Sequence, residues 1–371
     1  MGSHLPPLFS ERVNVVIFYD FEVFKEDWLA VFIDVTKKKE YVIINNPDEL
    51  KALYEANSKD IWVGYNNRHY DQYIMKGILL GMNPKRINDW IIVEKKEGWQ
   101  FSSAFNKVPM INYDVMPNPP VGLKTLEGFL GSNIKETDVD FRINRKLTKE
   151  EIEMTVFYCR HDVEETIKVF LEKIDEFNAM HGIIQAFPDI VNLSDIGDSE
   201  ARITAKVLGC SRRSFEDEFD FYFLPCLQLK KYKYVQDWFE QKRQEALSMD
   251  LAHMDKYSKR TWYKEQGLET VVAGIPHSFG FGGVHGATAT PIHKTGQLLH
   301  VDVNNYYPSM LIAWGLVTRA ATNDNYPLVY NTRKAMKEKQ IAAKNAGNKK
   351  EVKRWKKAQL PYKKMLNALS G

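Results

Sequence analysis

Cysteine is scarce in this chain of 371 residues: Cys159, Cys210 and Cys226 are the only three, and their spacing matches no metal-ligand pattern. A disulfide-stapled or zinc-ribbon architecture is therefore not expected, and a reduced, cytoplasmic setting is the economical reading. No apolar run approaches the ~18 residues that a bilayer crossing needs, so no membrane span is expected. Nothing before the first apolar stretch has the form of a secretory signal, and Met1-Gly2-Ser3-His4 reads as a cloning remnant. Internal repeats and low-complexity tracts are also missing. Apolar material is not: 44% hydrophobic and 12% aromatic content is enough to build cores in two or more domains.

Four carboxylates are the most informative feature. Val13 to Tyr19 is an apolar run that ends in Asp20-Phe21-Glu22, Asp71 closes the stretch GYNNRHYD, and Asp162 sits in YCRHDVEET. In an extended strand, residues two apart share a face, so Asp20 and Glu22 lie side by side and repel each other unless cations intervene. In-line cleavage of a phosphodiester uses two divalent cations about 3.5–4 Å apart, one generating hydroxide and one stabilising the leaving oxygen. Magnesium and manganese take oxygen ligands, which carboxylates supply. Each piece also has a plainer reading. Asp-x-Glu fits a solvated strand edge, Asn66 and Asp71 fit the cap of a helix expected over Gln72 to Leu80, and Tyr158 fits a ring packed beside a capped acid. Tyr158 and Asp162 are four apart in an amphipathic helix expected from about Thr148 to Asp175, so both project from one face. A phenol there can orient the attacking water. Taken together and in this order, the three sites point to a two-metal nuclease.

Asn66 with Tyr70-Asp71 resembles the second exonuclease motif, Asn-x-x-x-Phe/Tyr-Asp, of proofreading DNA polymerases, and the series as a whole is similar to that of a compact, bacteriophage-type family B DNA polymerase. The resemblance covers most of the chain. It implies an α/β fold: a ribonuclease H-like exonuclease domain, then a partial polymerase palm (α+β) and helical fingers. It also implies two Mg²⁺ or Mn²⁺ ions held by Asp20, Glu22, Asp71 and Asp162, with Tyr158 positioning water. Asn112-Tyr113-Asp114-Val115-Met116 reads as a strand end, and Gly122-Leu123-Lys124-Thr125-Leu126 starts the helix that follows in such domains. Asp114 has two readings, a fifth ligand or a residue that caps or positions its loop. Lys135, before Asp138-Val139-Asp140-Phe141, occupies a place similar to that of a lysine that assists catalysis in protein-primed phage polymerases, with a spacing that differs by a residue.

Charge is unevenly distributed. From Arg333 to Gly371, thirteen Lys and Arg stand against two Glu, a local +11 in a chain of net +3, which leaves about −8 for the remainder. This block, interrupted by Trp355 and Tyr362, suits a salt-sensitive phosphate-contacting surface or, equally, a solvated helical hairpin turning at Asn345-Ala346-Gly347-Asn348. The preceding sequence favours the first. Leu298 to Val303 reads as a short strand carrying Asp302, and with Asn304-Asn305-Tyr306-Tyr307-Pro308-Ser309 it resembles motif A of the same family, though Asn305 stands where Ser is usual. That likeness implies a polymerase metal at Asp302 and a steric gate against ribonucleotides at Tyr307. Gln359 to Lys363 and Asn367 to Gly371 resemble motif B of a fingers helix, which implies triphosphate contact by Lys363 and a nucleotide-site wall at Asn367. Ser370 replaces the usual Tyr, and Pro361 is unusual within a helix. Arg333 and Lys337, one turn apart, are further triphosphate candidates. Phe279 to Gly286, FGFGGVHG, resembles the glycine-rich linker between exonuclease and polymerase, where the backbone approaches template.

The expected organisation is an arm at 1–10, an exonuclease domain at 11–185, a connecting helical region at 186–290, a partial palm at 291–325 and basic fingers at 326–371. DNA is the expected partner, as a single-stranded 3′ end or a primer-template. Only about 60 residues separate Asp302 from Lys363, too few for a terminal-protein insertion, so a nucleic-acid primer is expected. The family's second metal motif, Tyr-Gly-Asp-Thr-Asp, and a thumb do not follow motif B. A shortened piece, a split gene whose second polypeptide docks, and an intein junction each fit. The rival functions are a free-standing 3′ exonuclease on DNA or RNA with a basic binding platform, and a non-enzymatic binding protein, which would leave four carboxylates idle. Primer-extension reactions with the chain alone are expected to yield no templated product, because Asp302 by itself does not complete a metal pair; templated synthesis would overturn this.

Overall fold

Val16–Val23 (β1) is made of β-branched, aromatic and two acidic residues, and its apolar side chains are buried on both faces, as in a central strand. The computed structural model describes residues 16–132, 139–210, 219, 221–291, 295–297, 299, 305–317, 321 and 324–370. β1 is antiparallel to Trp28–Asp34 (β2), which is antiparallel to Lys39–Ile44 (β3). On its other side β1 is parallel to Ile61–Gly64 (β4), itself parallel to Ile111–Asp114 (β5). The sheet order is therefore β3-β2-β1-β4-β5. Exposed Lys39 and Glu40 blunt the outer edge at β3.

Alternation along β1 assigns its two faces. Val16 and Phe18 enter one core with Cys159, Val163 and Phe170, whereas Ile17, Tyr19 and Phe21 enter another with Leu50, Trp62, Ile74 and Met75. The helices Pro47–Ala56 (α1), Asp71–Leu79 (α2) and Pro84–Asn88 (α3) supply the second core. Leu123–Leu130 (α4), Lys149–Glu172 (α5) and Ile174–Ala186 (α6) serve the first. An α/β architecture results. Thr148 and Glu151 close a reciprocal capping box at the start of α5, and Thr155, Cys159, Val163, Thr166 and Phe170 form its buried stripe at intervals of three and four. The single helix expected from Thr148 to Asp175 is two helices joined at Lys173, whose N–H bonds back to Val169 and Leu171.

The chain divides into two units, and their limits differ from those expected. Met1–Cys210 and Tyr307–Gly371 form one, Ser211–Tyr306 the other. Segment 186–210 and the basic C-terminal helices thus belong with the five-stranded sheet. The reason is a shared core: Met365 and Leu366 of Leu360–Ser370 and Tyr326 and Val329 of Asn325–Asn345 are all 0% exposed, and they cluster with Ile183, Ile203 and Val207. Gly182 makes this approach possible, since a Cβ there would lie 2.7 Å from Pro361 Cγ. Pro361 is only the second residue of its helix, where a missing N–H removes no hydrogen bond, so its presence is not anomalous. The turn expected at 345–348 does separate Asn325–Asn345 from Lys349–Ala358.

Ser211–Tyr306 is not wholly helical as expected for 186–290. After the helices Lys233–Ser248 and Lys256–Glu265, the strands Leu268–Val272 (β6), Ile275–Gly280 (β7) and Gly283–Gly286 (β8) form an antiparallel sheet. Ala273 and Gly274 both have positive φ, 52° and 82°, which makes the two-residue turn that matches strand twist. FGFGGVHG is accordingly a second hairpin. Phe281 at its tip packs against Trp238, Phe239, Trp262 and Tyr263. Among the described residues no helix is long and apolar enough to cross a membrane. Met365→Ala should cost about 2–5 kcal/mol in chemical denaturation, and amide exchange in β1 and β4 should quicken with it. Unchanged protection of the sheet would show that the C-terminal helix contributes nothing to that core.

Candidate metal centre

β1 is longer than the strand beside it. Pairing with β4 ends at Phe18 and Val63, so from Asp20 onward that side of β1 lacks a strand partner among the described residues. Asp71, the first residue of α2 and only 3% exposed, fills the gap: its Oδ1 accepts a hydrogen bond of 3.1 Å from the Phe21 N–H. A helix-cap role does not account for it, because the capping position is Tyr70, which makes no side-chain cap bond. Asn66 sits half-buried in the turn before α2 with φ of 58°; its carbonyl accepts from the N–H of His69 and of Tyr70. Asp114 holds that turn. Its Oδ1 accepts from Asn66 N and Met116 N at 2.9 Å each, and its Oδ2 from Arg68 N at 3.1 Å. Of the two readings of Asp114, the geometry supports loop positioning.

Asp20 and Glu22 continue the even-numbered series of β1, so they face α5. A solvated edge does not describe them, since β1 is the third of five strands. Cys159 Sγ lies 3.5 Å from both Asp20 Oδ2 and the Asp20 carbonyl oxygen. Ligand atoms of Asp20, Glu22 and Cys159 fall within 4.8 Å of one another, and so do those of Glu127, His161 and Asp162. Either acidic group could hold a metal ion. Tyr158, one turn before Asp162, is half-buried with its ring edge-on to Phe157 at 5.5 Å. Lys124 of α4 pairs with Asp162 Oδ1 at 2.5 Å and with Glu127 Oε1 at 3.1 Å.

Electrostatics ties the four carboxylates into one cluster. Asp20 is raised well above the ordinary carboxyl range, first by burial and then by the charges of Asp71, Glu22 and Asp162. Burial and the neighbouring Asp162 and Asp71 push Glu22 up to about 8, against the opposing pull of Lys124. Burial raises Asp71 to about 7 despite the Phe21 N–H bond, and Asp162 is also raised by burial with Lys124 opposing. Groups that resist ionisation together are relieved by a shared cation. Hard oxygen donors predominate, a set suited to Mg²⁺ or Mn²⁺, with the Cys159 thiol as one softer neighbour.

The remaining expected residues fall elsewhere. Lys135 and Asp302 lie outside the described residues. Arg333, Lys337 and Lys363 come together around a cleft of 450 Å³, with Lys353, Lys356 and Lys357. Asn367 is exposed on the same helix as Lys363 but does not line that cleft, and Tyr307 is 62% exposed near the start of Tyr306–Ala313. Sequence reasoning passed over Lys124, Glu127 and His161. The signal for two of them was there: a Lys–Glu pair three apart on a helix already expected from Gly122 onward. No protein-family model matches the chain, and no curated protein is similar to it.

The raised carboxyls set a pH dependence for the metal-free protein. Folding raises Glu22 from 4.5 to about 8 and Asp71 from 3.8 to about 7, so between those limits the folded chain keeps protons that the unfolded chain has released. Stability must then fall as pH rises through this window. In chelator, thermal midpoints should drop from pH 5 to pH 8; Mn²⁺ should restore the pH 8 value, and Glu22→Gln should flatten the slope. A midpoint that rises with pH in chelator would contradict the cluster.

Proposed function

We propose that this protein is a 3′–5′ exonuclease that removes nucleotides from DNA 3′ ends by a two-metal mechanism. The observation that carries this reading is the convergence of Asp20, Glu22, Asp71 and Asp162, four residues from three distant segments: the charges of Asp71 and Asp162 raise the proton affinity of both Asp20 and Glu22. The sheet order, three antiparallel strands followed by two parallel ones, supports a ribonuclease H-like fold. Asp20, Glu22, Asp71 and Asp162 would hold the ions. When bound, two divalent cations supply activation of the attacking water and stabilisation of the leaving oxygen. The protein's own part is to fix the carboxylates: β1 sets Asp20 and Glu22 on one face, the Phe21 N–H orients Asp71, and α5 presents Asp162 with Tyr158 one turn earlier as the group that orients water. Asn66, in the turn held by Asp114, stands beside the same end of the sheet as a contact for the DNA strand.

A second reading, one part of a family B-like polymerase whose site a second polypeptide completes, is favoured by the basic cleft. Arg333, Lys337 and Lys363 gather there as triphosphate contacts would. Both readings share the nuclease test. Incubation with 3′-labelled single-stranded DNA and Mg²⁺ or Mn²⁺ should release mononucleotides, and EDTA should stop it. Asp20→Ala and Asp162→Ala should each lower the rate at least ~100-fold, the scale seen when one electrostatic contributor to a transition state is lost. Retained activity in either variant would refute the assignment.

A further inference from the structure

Glu127 is 0% exposed, and neither of its carboxylate oxygens has a hydrogen-bond partner of good geometry among the described residues. A wholly buried carboxylate is costly unless a cation stands by it. Two candidates do. Lys124 Nζ lies 3.1 Å from Glu127 Oε1, and His161 Nε2, without a hydrogen-bond partner among the described residues, lies 3.5 Å from Glu127 Oε2. Lys124 is at the same time 2.5 Å from Asp162 Oδ1. One ammonium therefore bridges two carboxylates of different kinds, an inner one and an outer one that belongs to the metal cluster. A lysine ammonium is compact, with three rotatable donors on a flexible stem, and this one is 33% exposed at its side chain, so it can move between the two without unpacking the helix.

We propose that Lys124 is a resident counter-cation of the metal centre: it holds Asp162 in the metal-free protein and passes to Glu127 when a divalent ion binds Asp162. Lys124 and Glu127 are positioning residues in this scheme, and the inference rests on reading Asp162 as a metal ligand. Asp162 is kept in place before metal arrives, and the displaced ammonium is received by an acceptor whose oxygens have room for it. The positive charge never has to leave the site, and Glu127 is never left without a partner.

Plain electrostatics would also tighten metal binding in Lys124→Met and loosen it in Glu127→Gln, so the sign of either change decides little. The coupling between them does decide. Mn²⁺ affinity of the full chain, read from free Mn²⁺ by electron paramagnetic resonance, should weaken ~10-fold in Glu127→Gln, the scale of a lost supporting partner. In the Lys124→Met background the same substitution should change it less than about 2-fold, because the acceptor matters only while the ammonium is there. Equal effects in the two backgrounds would overturn the proposal. A readout on the unsubstituted chain guards against a variant that fails to fold: acylation of Lys124 by an amine-reactive ester, followed by mass spectrometry, should slow on adding Mn²⁺ as the ammonium turns inward. An unchanged rate would also overturn the proposal. A chain that shows this coupling but releases no nucleotides from DNA would refute the exonuclease reading alone, whereas an active nuclease with independent effects would refute this inference alone.

Discussion

Mutual repulsion among carboxylates at the end of β1 is the constraint around which the first unit is arranged. Asp20, Glu22, Asp71 and Asp162 are drawn from a strand, the start of one helix and the middle of another, elements that apolar packing brings together. Alternation in β1 buries Val16 and Phe18 against α5 and so directs Asp20 and Glu22 to the same side. The buried stripe of α5 brings Cys159 to within 3.5 Å of Asp20 and leaves Asp162 one turn further along. Hydrophobic burial in two cores thus supplies the free energy that keeps like charges together.

The sheet's uneven strand lengths matter as much as its order. Because β4 stops at Gly64, the backbone of β1 beyond Phe18 offers an N–H that Asp71 can accept, and a carboxylate takes the place where a strand would otherwise continue. The turn before α2 is then held by Asp114 from the next strand. Residues of the sequence-level motifs are in this way divided between those that face the cluster and those that hold the backbone. Asp114 is of the second sort, whereas Lys124 pairs directly with the Asp162 carboxylate and with Glu127.

The basic C-terminal segment joins this framework through apolar contacts. Met365, Leu366, Tyr326 and Val329 enter the core on the α5 and α6 side, while the lysines on the same helices remain near solvent. A segment that reads as separate by charge is therefore continuous by packing. Charge pattern reports on the surface of a helix, and only its buried stripe reports on what it joins. Pro361 illustrates the difference: anomalous if its helix is taken to run through Gln359, it is ordinary at the second residue of Leu360–Ser370, where it meets Gly182.

The apolar run ending at Tyr19, the capping box at Thr148 and the Tyr158–Asp162 spacing are local patterns that local forces produce, and they can be read along the chain. The two-residue turn at Ala273-Gly274 is equally local, although the helical expectation for 186–290 does not include it. Other features had no local trace. That Asp114 holds the Asn66 turn, that Lys124 reaches Asp162, and that Lys363 joins Arg333 and Lys337 at one cleft depend on groups brought together from far apart in the chain. The sequence by itself determined which residues could carry charge to a metal and which elements would bear them, because period and capping act within a few turns. The tertiary structure alone decided which charges meet and at what distance, because burial and repulsion depend on separation in space and on the solvent that packing excludes.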